Sequence, residues 1–330
     1  MSAGMQRYAD ELAARLPLVA PDLRFATLER DRTLDLDEQI GLPRRLRAAH
    51  GRLVHFLSVY APLFFAPRPY VITIHDLIHL RFPEQFKPTV GPYYRTVVRS
   101  VCARAARVIT DDERTVGDLE RYLGVAPAKV RVVPLGVGPE FLESEGGGPQ
   151  SGARPYFLYV GNHRPHKDLA TLVSAWEKLP QELDVDLVLT GLDDLGVGTR
   201  QRSAGRTVRF AGDVGGSALR DLYRGALALV SPSLCEGFGL PLLEAAALGT
   251  PVIASSEAIP GTLRAYAEAF PPRDAGALAA AMARAASSFP ARARGLTEEA
   301  QRFAQTQTWD RCAERTAEVY REVLEETEQR

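Results

Sequence analysis

Short apolar runs alternate with longer segments of helical periodicity along the first part of the chain. The run 68–77, RPYVITIHDL, has a β-branched centre and ends in polar residues, and the runs 106–110 and 129–137 repeat this pattern. The segment 93–106 between them places apolar residues three to four positions apart, the spacing of one helix face. Strand–helix alternation of this kind predicts a parallel sheet covered by helices on both faces.

A second alternating series follows a break in composition. Residues 143–155, ESEGGGPQSGARP, are rich in Gly, Ser and Pro and are predicted to be a linker. We expect an N-terminal domain over 1–145, a second α/β domain over 154–308 and a closing helix over 309–330. In the second domain the pattern predicts strands at 156–161, 185–191, 207–212, 227–233 and 250–256, and helices at 168–179, 217–226, 240–249 and 274–288.

Two doubly wound α/β domains fit a chain of 330 residues, which is too long for one ordinary core. Ligands of such sheets bind outside the carboxyl ends of the strands. Two domains that faced each other would form a deep cleft at those ends. The site is therefore expected in the loops that follow the strands.

The composition predicts a cytoplasmic protein. Hydrophobic residues make up 45% of the chain and charged residues 25%, which are ordinary values for a globular protein. No apolar run reaches the length of a transmembrane helix, and the first residues contain no apolar signal core. The three cysteines are far apart and form no CxxC pair, as expected in a reducing compartment.

The net charge of −1 does not favour a nucleic-acid partner. Local arginine clusters do occur, and they have two interpretations. They are either solvated helix faces or contacts for an anionic substrate or for anionic lipid at the inner membrane surface. The clusters are Arg44, Arg45, Arg47 and Arg52, and Arg95, Arg99, Arg104 and Arg107.

The stretch 231–256, SPSLCEGFGLPLLEAAALGTPVIASS, carries the clearest candidate chemistry. Gly237 and Gly239 allow a tight turn that brings backbone amides close to a ligand at the start of a helix. Glu244 lies about one helical turn further on, so that it and Glu236 bracket the loop. A carboxylate can accept hydrogen bonds from two ribose hydroxyls, and amides suit phosphate or sugar oxygens. The alternative is a capped helix whose acidic residues favour its dipole.

A second loop, in YVGNHRPHKDLATL, combines a glycine with two cations. Gly161 follows a predicted strand, and Arg164 and Lys167 precede a predicted helix. Two cations at such a position predict a diphosphate site with charge-assisted hydrogen bonds to a leaving group. Two solvated loop charges are the alternative.

A third loop, TIHDLIHL, places His75 and Asp76 at the end of a predicted strand. His75 is either a site residue or an ordinary loop histidine. A metal site is a further alternative, formed by these two residues with His79 or by His163 with His166. Such a motif needs its histidines on one helical turn, whereas His75 falls where a strand ends.

Taken together, the motifs resemble those of the retaining glycosyltransferases of family GT4, or group 1. The spacing from Glu236 to Glu244 matches the E-x7-E signature of that family, and YVGNHRPHKDL resembles its diphosphate-binding loop. TIHDLIHLRFPE resembles the histidine loop of the mannosyltransferase-like branch. The resemblance implies the GT-B fold, with two Rossmann-like domains facing a central cleft. It also implies that the helix after Trp309 crosses back to the N-terminal domain.

The resemblance assigns a role to each matching residue. Glu236 would contact hydroxyls of the transferred sugar, and Glu244 would hold the nucleotide ribose. Arg164 and Lys167 would neutralise the departing diphosphate, and His75 would lie beside the donor sugar. Further donor contacts would come from Gly4, Gly161, Gly237, Phe238, Gly239 and Leu240.

The implied reaction is the transfer of a hexose from a nucleotide diphosphate sugar, of the GDP-mannose or UDP-glucose type, with retention of configuration. The acceptor would be a glycan, a lipid-linked molecule or a small molecule. The resemblance implies no cofactor and no metal, since cations and helix dipoles would stabilise the leaving diphosphate.

The sequence departs from the family pattern in several places. The chain starts almost at the usual glycine pair, which reads Ala3-Gly4, without the strand that normally precedes it. We expect either a shortened chain, a start placed too late, or a rearranged first sheet. Asp112 replaces a common serine, and Asn162 replaces a common arginine. Asp76 and Asp112 are assigned to the acceptor side of the site.

Other functions remain compatible with the residues alone. A nucleotide-sugar epimerase or a phosphorylase of the same fold would share the diphosphate and histidine motifs. The missing first strand is compatible with a non-catalytic module that binds sugar nucleotides. A metal-dependent hydrolase would use the histidines of the third loop.

Overall fold

The apolar runs form the strands of two separate parallel sheets. The computed structural model describes residues 3–28, 41–48, 51–62, 69–142, 154–194, 205–288 and 292–329. The predicted linker over 143–155 lies outside these residues apart from 154–155. The chain divides into one unit of Met1–Gly136 with Gln307–Arg330, and a second unit of Val137–Thr306.

The sheet described for the first unit contains four parallel strands in chain order. Its second strand is buried at every position, which explains why the apolar run predicted it well. The strands are β1 (Val54–Phe56), β2 (Tyr70–Thr73), β3 (Arg107–Thr110) and β4 (Val130–Val132). The helices before and between them are α1 (Ala3–Val19), α2 (Leu42–Ala48), α3 (Ile78–Arg81), α4 (Val90–Tyr93), α5 (Arg99–Arg104) and α6 (Glu113–Asp118).

The second sheet has six described strands, all parallel, and the order in which the chain adds them reverses in the middle of the sheet. The strands are β5 (Tyr156–Tyr159), β6 (Asp186–Leu189), β7 (Val208–Phe210), β8 (Ala228–Ser231), β9 (Val252–Ser255) and β10 (Glu268–Phe270). The helices are α7 (Leu169–Glu177), α8 (Gly216–Gly225), α9 (Leu240–Ala247), α10 (Ala275–Ser288) and α11 (Arg292–Thr306).

The order of this sheet is β10-β9-β8-β5-β6-β7. The chain therefore starts at β5, proceeds to one edge through β6 and β7, and then returns to pair β8 on the other side of β5. In sheets of this kind the point of reversal between two adjacent strands is where ligands bind. Here that point lies between the carboxyl ends of β5 and β8.

The last helix, α12 (Trp309–Glu328), belongs to the first unit and packs along α1. The hydroxyl oxygen of Thr308 caps it by accepting a hydrogen bond from the amide of Arg311. A glycine at position 136 allows the backbone at the start of α12 to come close. A Cβ atom at Gly136 would lie 2.1 Å from the amide nitrogen of Trp309.

Two arginines help to hold this helix, and one of them, Arg107, belongs to the second predicted cluster. Arg107 donates to Glu322 with an Nη2–Oε1 distance of 2.8 Å and also contacts Glu326. Arg131 donates to the other oxygen of Glu322 from Nε at 2.9 Å. At least part of the basic character of the first unit thus serves its own packing.

Some elements were not predicted from the sequence. Strands β1 and β10 have only three residues each, and two residues of β10 are exposed, so neither shows a long apolar run. Helix α11 is largely polar and was also missed. None of the helices in the described part of the chain combines the length and the apolar composition of a membrane span.

Candidate functional site

The candidate donor site of the second unit lies where the loops after β5 and β8 meet. The first loop runs from Gly161 to Asp168 and the second from Pro232 to Gly239. The two loops are joined by a backbone hydrogen bond, in which the amide of Leu234 donates to the carbonyl of His166 at 2.8 Å. Because β5 and β8 are adjacent parallel strands, residues far apart in the sequence come together here.

Lys167 and Glu236 form the centre of this site. Nζ of Lys167 lies 2.6 Å and 2.7 Å from the two carboxylate oxygens of Glu236. Each of the two side chains is 13% exposed, so the pair is largely shielded from solvent. The hydroxyl of Ser233 donates a further hydrogen bond to Oε1 of Glu236 at 2.6 Å. The site therefore offers an ammonium and a carboxylate side by side.

The first loop is hydrogen-bonded to a buried tyrosine, Tyr159, of β5. The hydroxyl of Tyr159 donates to the carbonyl of Asn162 at 2.6 Å. Burial raises the pKa of Tyr159 well above its ordinary value, and the nearby carboxylate of Glu236 raises it further. A Cβ atom at Gly161 would lie 2.8 Å from this hydroxyl, so any other residue would force the hydroxyl to shift from its hydrogen bond.

The backbone turns sharply at the end of each loop. Gly239 directly precedes α9. Its φ of 80° is a left-handed conformation that favours glycine. Asp168 has a φ of 49°, which is uncommon for a residue with a side chain, and it directly precedes α7. Helix α7 begins two residues after Lys167 and α9 begins four residues after Glu236, so the N-termini of both helices lie near this pair.

The backbone donors at the start of α9 are the amides of Phe238, Gly239 and Leu240, since Pro241 has no N–H and the amides of Leu242 and Leu243 donate to the carbonyl of Gly239 at 2.9 Å and 3.4 Å. Phe238 is buried, whereas Gly237 and Leu240 are partly exposed. Amides at such an N-terminus favour a phosphate or another anion. The structure thus brings the predicted glycine loop to the same place as Lys167.

Glu244 lies deeper in the second unit than Glu236. Glu244 is 5% exposed, and the hydroxyl of Tyr223 donates to Oε2 of Glu244 at 2.9 Å. Tyr223 is fully buried and is held by Thr250, whose hydroxyl donates to the carbonyl of Tyr223 at 2.9 Å. The carboxylate that follows the glycine loop is therefore fixed by a tyrosine of α8.

Arg164 lies in the same loop as Lys167 but is exposed. It precedes the short 3₁₀ turn Pro165–Lys167, and its amide donates to the side-chain oxygen of Asn162 at 3.3 Å. The guanidinium is consequently less constrained than the ammonium of Lys167.

His75 lies in the first unit, just after β2, and is paired with an acid that the sequence analysis did not select. Its Nδ1 is 2.7 Å from Oδ2 of Asp111, which is 2% exposed. The ring of Tyr8 packs against that of His75 in an edge arrangement with centroids 4.7 Å apart. Burial alone would lower the pKa of His75, but the carboxylate of Asp111 raises it above its ordinary value.

The other candidates of the first unit make local contacts. Asp76 accepts a hydrogen bond from the amide of Ile78 at 3.1 Å, and Asp112 caps α6 by accepting from the amide of Arg114 at 3.0 Å. His79 stacks on Tyr94 with ring centroids 5.2 Å apart. Among the residues that the structure describes, no group of three or more potential ligands is placed to hold a metal ion.

The sequence predicts Gly4 just ahead of a helix. In the structure Gly4 lies inside the first turn of α1. It is exposed, and a Cβ atom there would meet no other atom within 4 Å. No contact with the residues that the structure describes therefore requires glycine at this position.

A parallel α/β domain with a cation, a carboxylate and a helix N-terminus at its point of reversal is typical of proteins that bind phosphate-bearing sugars or nucleotides. The chain belongs to the glycosyltransferase family GT4, or group 1. Residues 6–141 match the family model described as Glycosyltransferase Family 4, and residues 154–288 match the model described as Glycosyl transferases group 1.

Several curated proteins are similar over much of the chain. A D-inositol 3-phosphate glycosyltransferase of Streptomyces scabiei is 32% identical over 83% of this chain and 68% of its own length. The O-antigen chain mannosyltransferase B of Escherichia coli is 26% identical over 79% of this chain and 73% of its own length. The O-antigen chain mannosyltransferase RfbU of Salmonella typhimurium is 28% identical over 57% of this chain, and the chain spans about half of that protein, 52%.

Solved structures share the fold. WaaG, a glycosyltransferase involved in lipopolysaccharide biosynthesis, has a TM-score of 0.67, with 16% identity over 96% of this chain and 95% of its own. HepE of Anabaena, in complex with UDP-glucose, has a TM-score of 0.67, with 18% identity over 89% of this chain and 85% of its own. The GT-B fold expected from the sequence is confirmed.

Proposed function

We propose that this protein transfers a hexose from a nucleotide diphosphate sugar to a hydroxyl group of a glycan, lipid-linked or small-molecule acceptor. The contact between Lys167 and Glu236 at the reversal of the second sheet carries this proposal. An ammonium next to a carboxylate matches a ligand in which a diphosphate lies next to sugar hydroxyls. The similarity to mannosyltransferases favours GDP-mannose as the donor, and UDP-glucose is the second choice.

In the proposed complex Lys167 leaves Glu236 and moves to the diphosphate, joined by Arg164 and the backbone amides from Phe238 to Leu240. Glu236 then accepts hydrogen bonds from hydroxyls of the transferred sugar, and Glu244 holds the ribose. The first unit binds the acceptor. This division gives every charged group of the donor site a polar partner in the complex.

The proposed reaction keeps the configuration at the anomeric carbon. The bond from this carbon to the diphosphate breaks, and its electron pair leaves with the phosphate oxygen. The acceptor oxygen forms the new bond on the same face, and its proton passes to the leaving phosphate oxygen. Lys167 and Arg164 stabilise the negative charge that develops on the phosphate, which is the role of a metal ion in other enzymes.

The test is to incubate the protein with GDP-mannose and with UDP-glucose in the presence of a chelator. We expect one of them to raise the melting temperature, because a ligand that binds only the folded state stabilises it. We also expect slow hydrolysis of that donor, and NMR should show that the released sugar first has the configuration of the donor. If no GDP- or UDP-sugar bound, the proposal would be rejected. Loss of turnover with the chelator would reject metal independence.

A further inference from the structure

Several buried polar atoms lie without a hydrogen-bond partner where β2 and β3 end. Among the described residues, Nε2 of His75, Oγ1 of Thr110 and Oδ1 of Asp111 are buried and have none. The two strands are adjacent and parallel, with Thr73 opposite Ile109, so these atoms lie at the same carboxyl end of the sheet. Folded proteins contain few such atoms, and each one calls for a ligand, a water molecule or a catalytic role.

Asp111 holds the imidazole of His75 in one orientation. The 2.7 Å contact between Oδ2 and Nδ1 fixes which ring nitrogen faces the acid, and the edge of Tyr8 packs against the ring. Tyr8 is itself anchored, because its hydroxyl lies 3.1 Å from Oγ1 of Thr73. The second ring nitrogen, Nε2, has no side-chain partner among the described residues, and the backbone carbonyl of Leu57 lies near the ring.

We propose that Asp111 is a positioning residue for His75, the residue whose place beside the donor sugar is implied by the resemblance to family GT4. A hydroxyl both donates and accepts, so sugar hydroxyls can satisfy the ring nitrogen and the remaining oxygen of Asp111. The inference rests on the proposed transferase function, since it takes the ligand to be a sugar. It adds a residue that lies outside the sequence motifs.

The charges around His75 favour the form with both nitrogens protonated. Burial opposes this form, but the acids outweigh it and raise the pKa of His75. Burial lowers the pKa of the neighbouring His55 to about 3, so His55 stays neutral and does not repel the imidazolium. The groups that act on His75 are the carboxylates of Asp111 and Asp76, the backbone carbonyl of Leu57 and the ring of His55. The raised pKa of His75 thus favours an Nε2 that carries a proton and donates it to a hydrogen bond.

The first test is a titration of the histidine ring resonances by NMR in the whole protein. His75→Gln identifies the signal of His75, because that signal disappears. We expect a pKa above the ordinary value of about 6.5 in the wild type and a lower value in Asp111→Asn. Asp118→Asn is the matched control, since Asp118 pairs with Arg81 elsewhere in the first unit and should leave the value unchanged. A wild-type pKa at or below 6.5 would overturn the pairing, and this measurement needs no variant of Asp111.

The second test is a double-mutant cycle on donor turnover with the donor that gives the larger thermal shift. We expect Asp111→Asn to lower kcat/KM about 10- to 100-fold in the wild-type background, as outer partners of site histidines do. The same change should have little effect in the His75→Gln background, because Asp111 acts through His75. Equal losses in both backgrounds would overturn the positioning role.

The two tests separate this inference from the proposed function. The wild type could turn over the donor while Asp111→Asn lowered kcat/KM equally in the wild-type and His75→Gln backgrounds. That result would leave the transferase function intact and reject only the role of Asp111. If no nucleotide sugar bound to the wild type or turned over, the transferase function and the sugar ligand would both be rejected. The titration would then still decide whether Asp111 holds His75.

Discussion

Nζ of Lys167 lies 2.6 Å and 2.7 Å from the two carboxylate oxygens of Glu236, 69 positions later in the chain. Each of these groups supplies the counter-charge that the other needs when no ligand is bound. A diphosphate sugar brings both an anion and hydroxyls, so it can replace each partner at the same time. The contact therefore marks the boundary between the phosphate and sugar parts of the proposed donor site.

Replacing Lys167 by alanine is expected to lower kcat at least about 100-fold. Removal of a group that stabilises the charge of a transition state typically costs this much. The measurement is the steady-state rate of donor hydrolysis or transfer. Lys178→Ala is the control, because this exposed lysine ends the helix that begins just after Lys167. Similar rates in the two variants would contradict the role of Lys167.

Replacing Tyr223 by phenylalanine is expected to raise the KM for the donor by up to about tenfold with little change in kcat. Its hydroxyl orients Glu244, and one hydrogen bond contributes about 0.5–1.5 kcal/mol net. Tyr156→Phe is the matched control, since that hydroxyl donates to the carbonyl of Leu222 instead.

A nucleotide without ribose hydroxyls tests the same contact by a second route. The wild type is expected to bind a 2′,3′-dideoxynucleoside diphosphate more weakly than the ribonucleotide, and Tyr223→Phe should reduce the difference. Equal binding of both nucleotides by the wild type would exclude Glu244 as the ribose ligand.

Replacing Gly136 by alanine is expected to destabilise the first unit by about 1–3 kcal/mol, the usual cost of overpacking. The added Cβ would lie 2.1 Å from the amide nitrogen of Trp309 and 2.4 Å from the carbonyl carbon of Thr308, so the start of α12 would have to move. Denaturant unfolding measures the effect. Gly117→Ala in α6 meets no atom within 4 Å and is expected to stabilise by about 0.5–1 kcal/mol. A neutral Gly136→Ala would show that α12 packs differently.

Acid is expected to destabilise the first unit through His55. Its Nδ1 lies 2.6 Å from the hydroxyl of Tyr320 and its Nε2 lies 2.7 Å from Oγ1 of Thr73. Burial lowers its pKa to about 3, against about 6.5 in the unfolded chain. The unfolded state therefore binds more protons below pH 6.5, and stability falls between pH 6.5 and pH 3. By pH 5 the loss from this group is about 2 kcal/mol.

The check is the free energy of unfolding of the wild type and of His55→Gln from pH 7.5 to pH 5. The variant should lose less stability than the wild type as the pH falls. His75 acts in the opposite direction, because its raised pKa adds stability as the pH falls, but it does so in both proteins and so drops out of the comparison. Parallel curves for the two proteins would contradict the buried neutral state of His55.

Several elements could be predicted because burial alone shapes their sequence. β2, β6, β8 and β9 are buried at every position and appear as apolar runs, and the long closing helix shows its apolar stripe. Strand β10 could not be predicted in this way, because two of its three residues are exposed at the edge of the sheet.

The sequence by itself determined which loops carry chemistry: glycines, cations and carboxylates follow buried strands, and their spacing is a local property of the chain. Only the tertiary structure decided which of them meet. Lys167 reaches Glu236 because β5 pairs with β8, and Asp111 reaches His75 because β2 pairs with β3. Strand order depends on packing between distant segments, so a local pattern of apolar and polar residues does not contain it. Asp111 and Tyr223 could be identified only from the structure, because the partner of a site residue need not lie in a sequence motif.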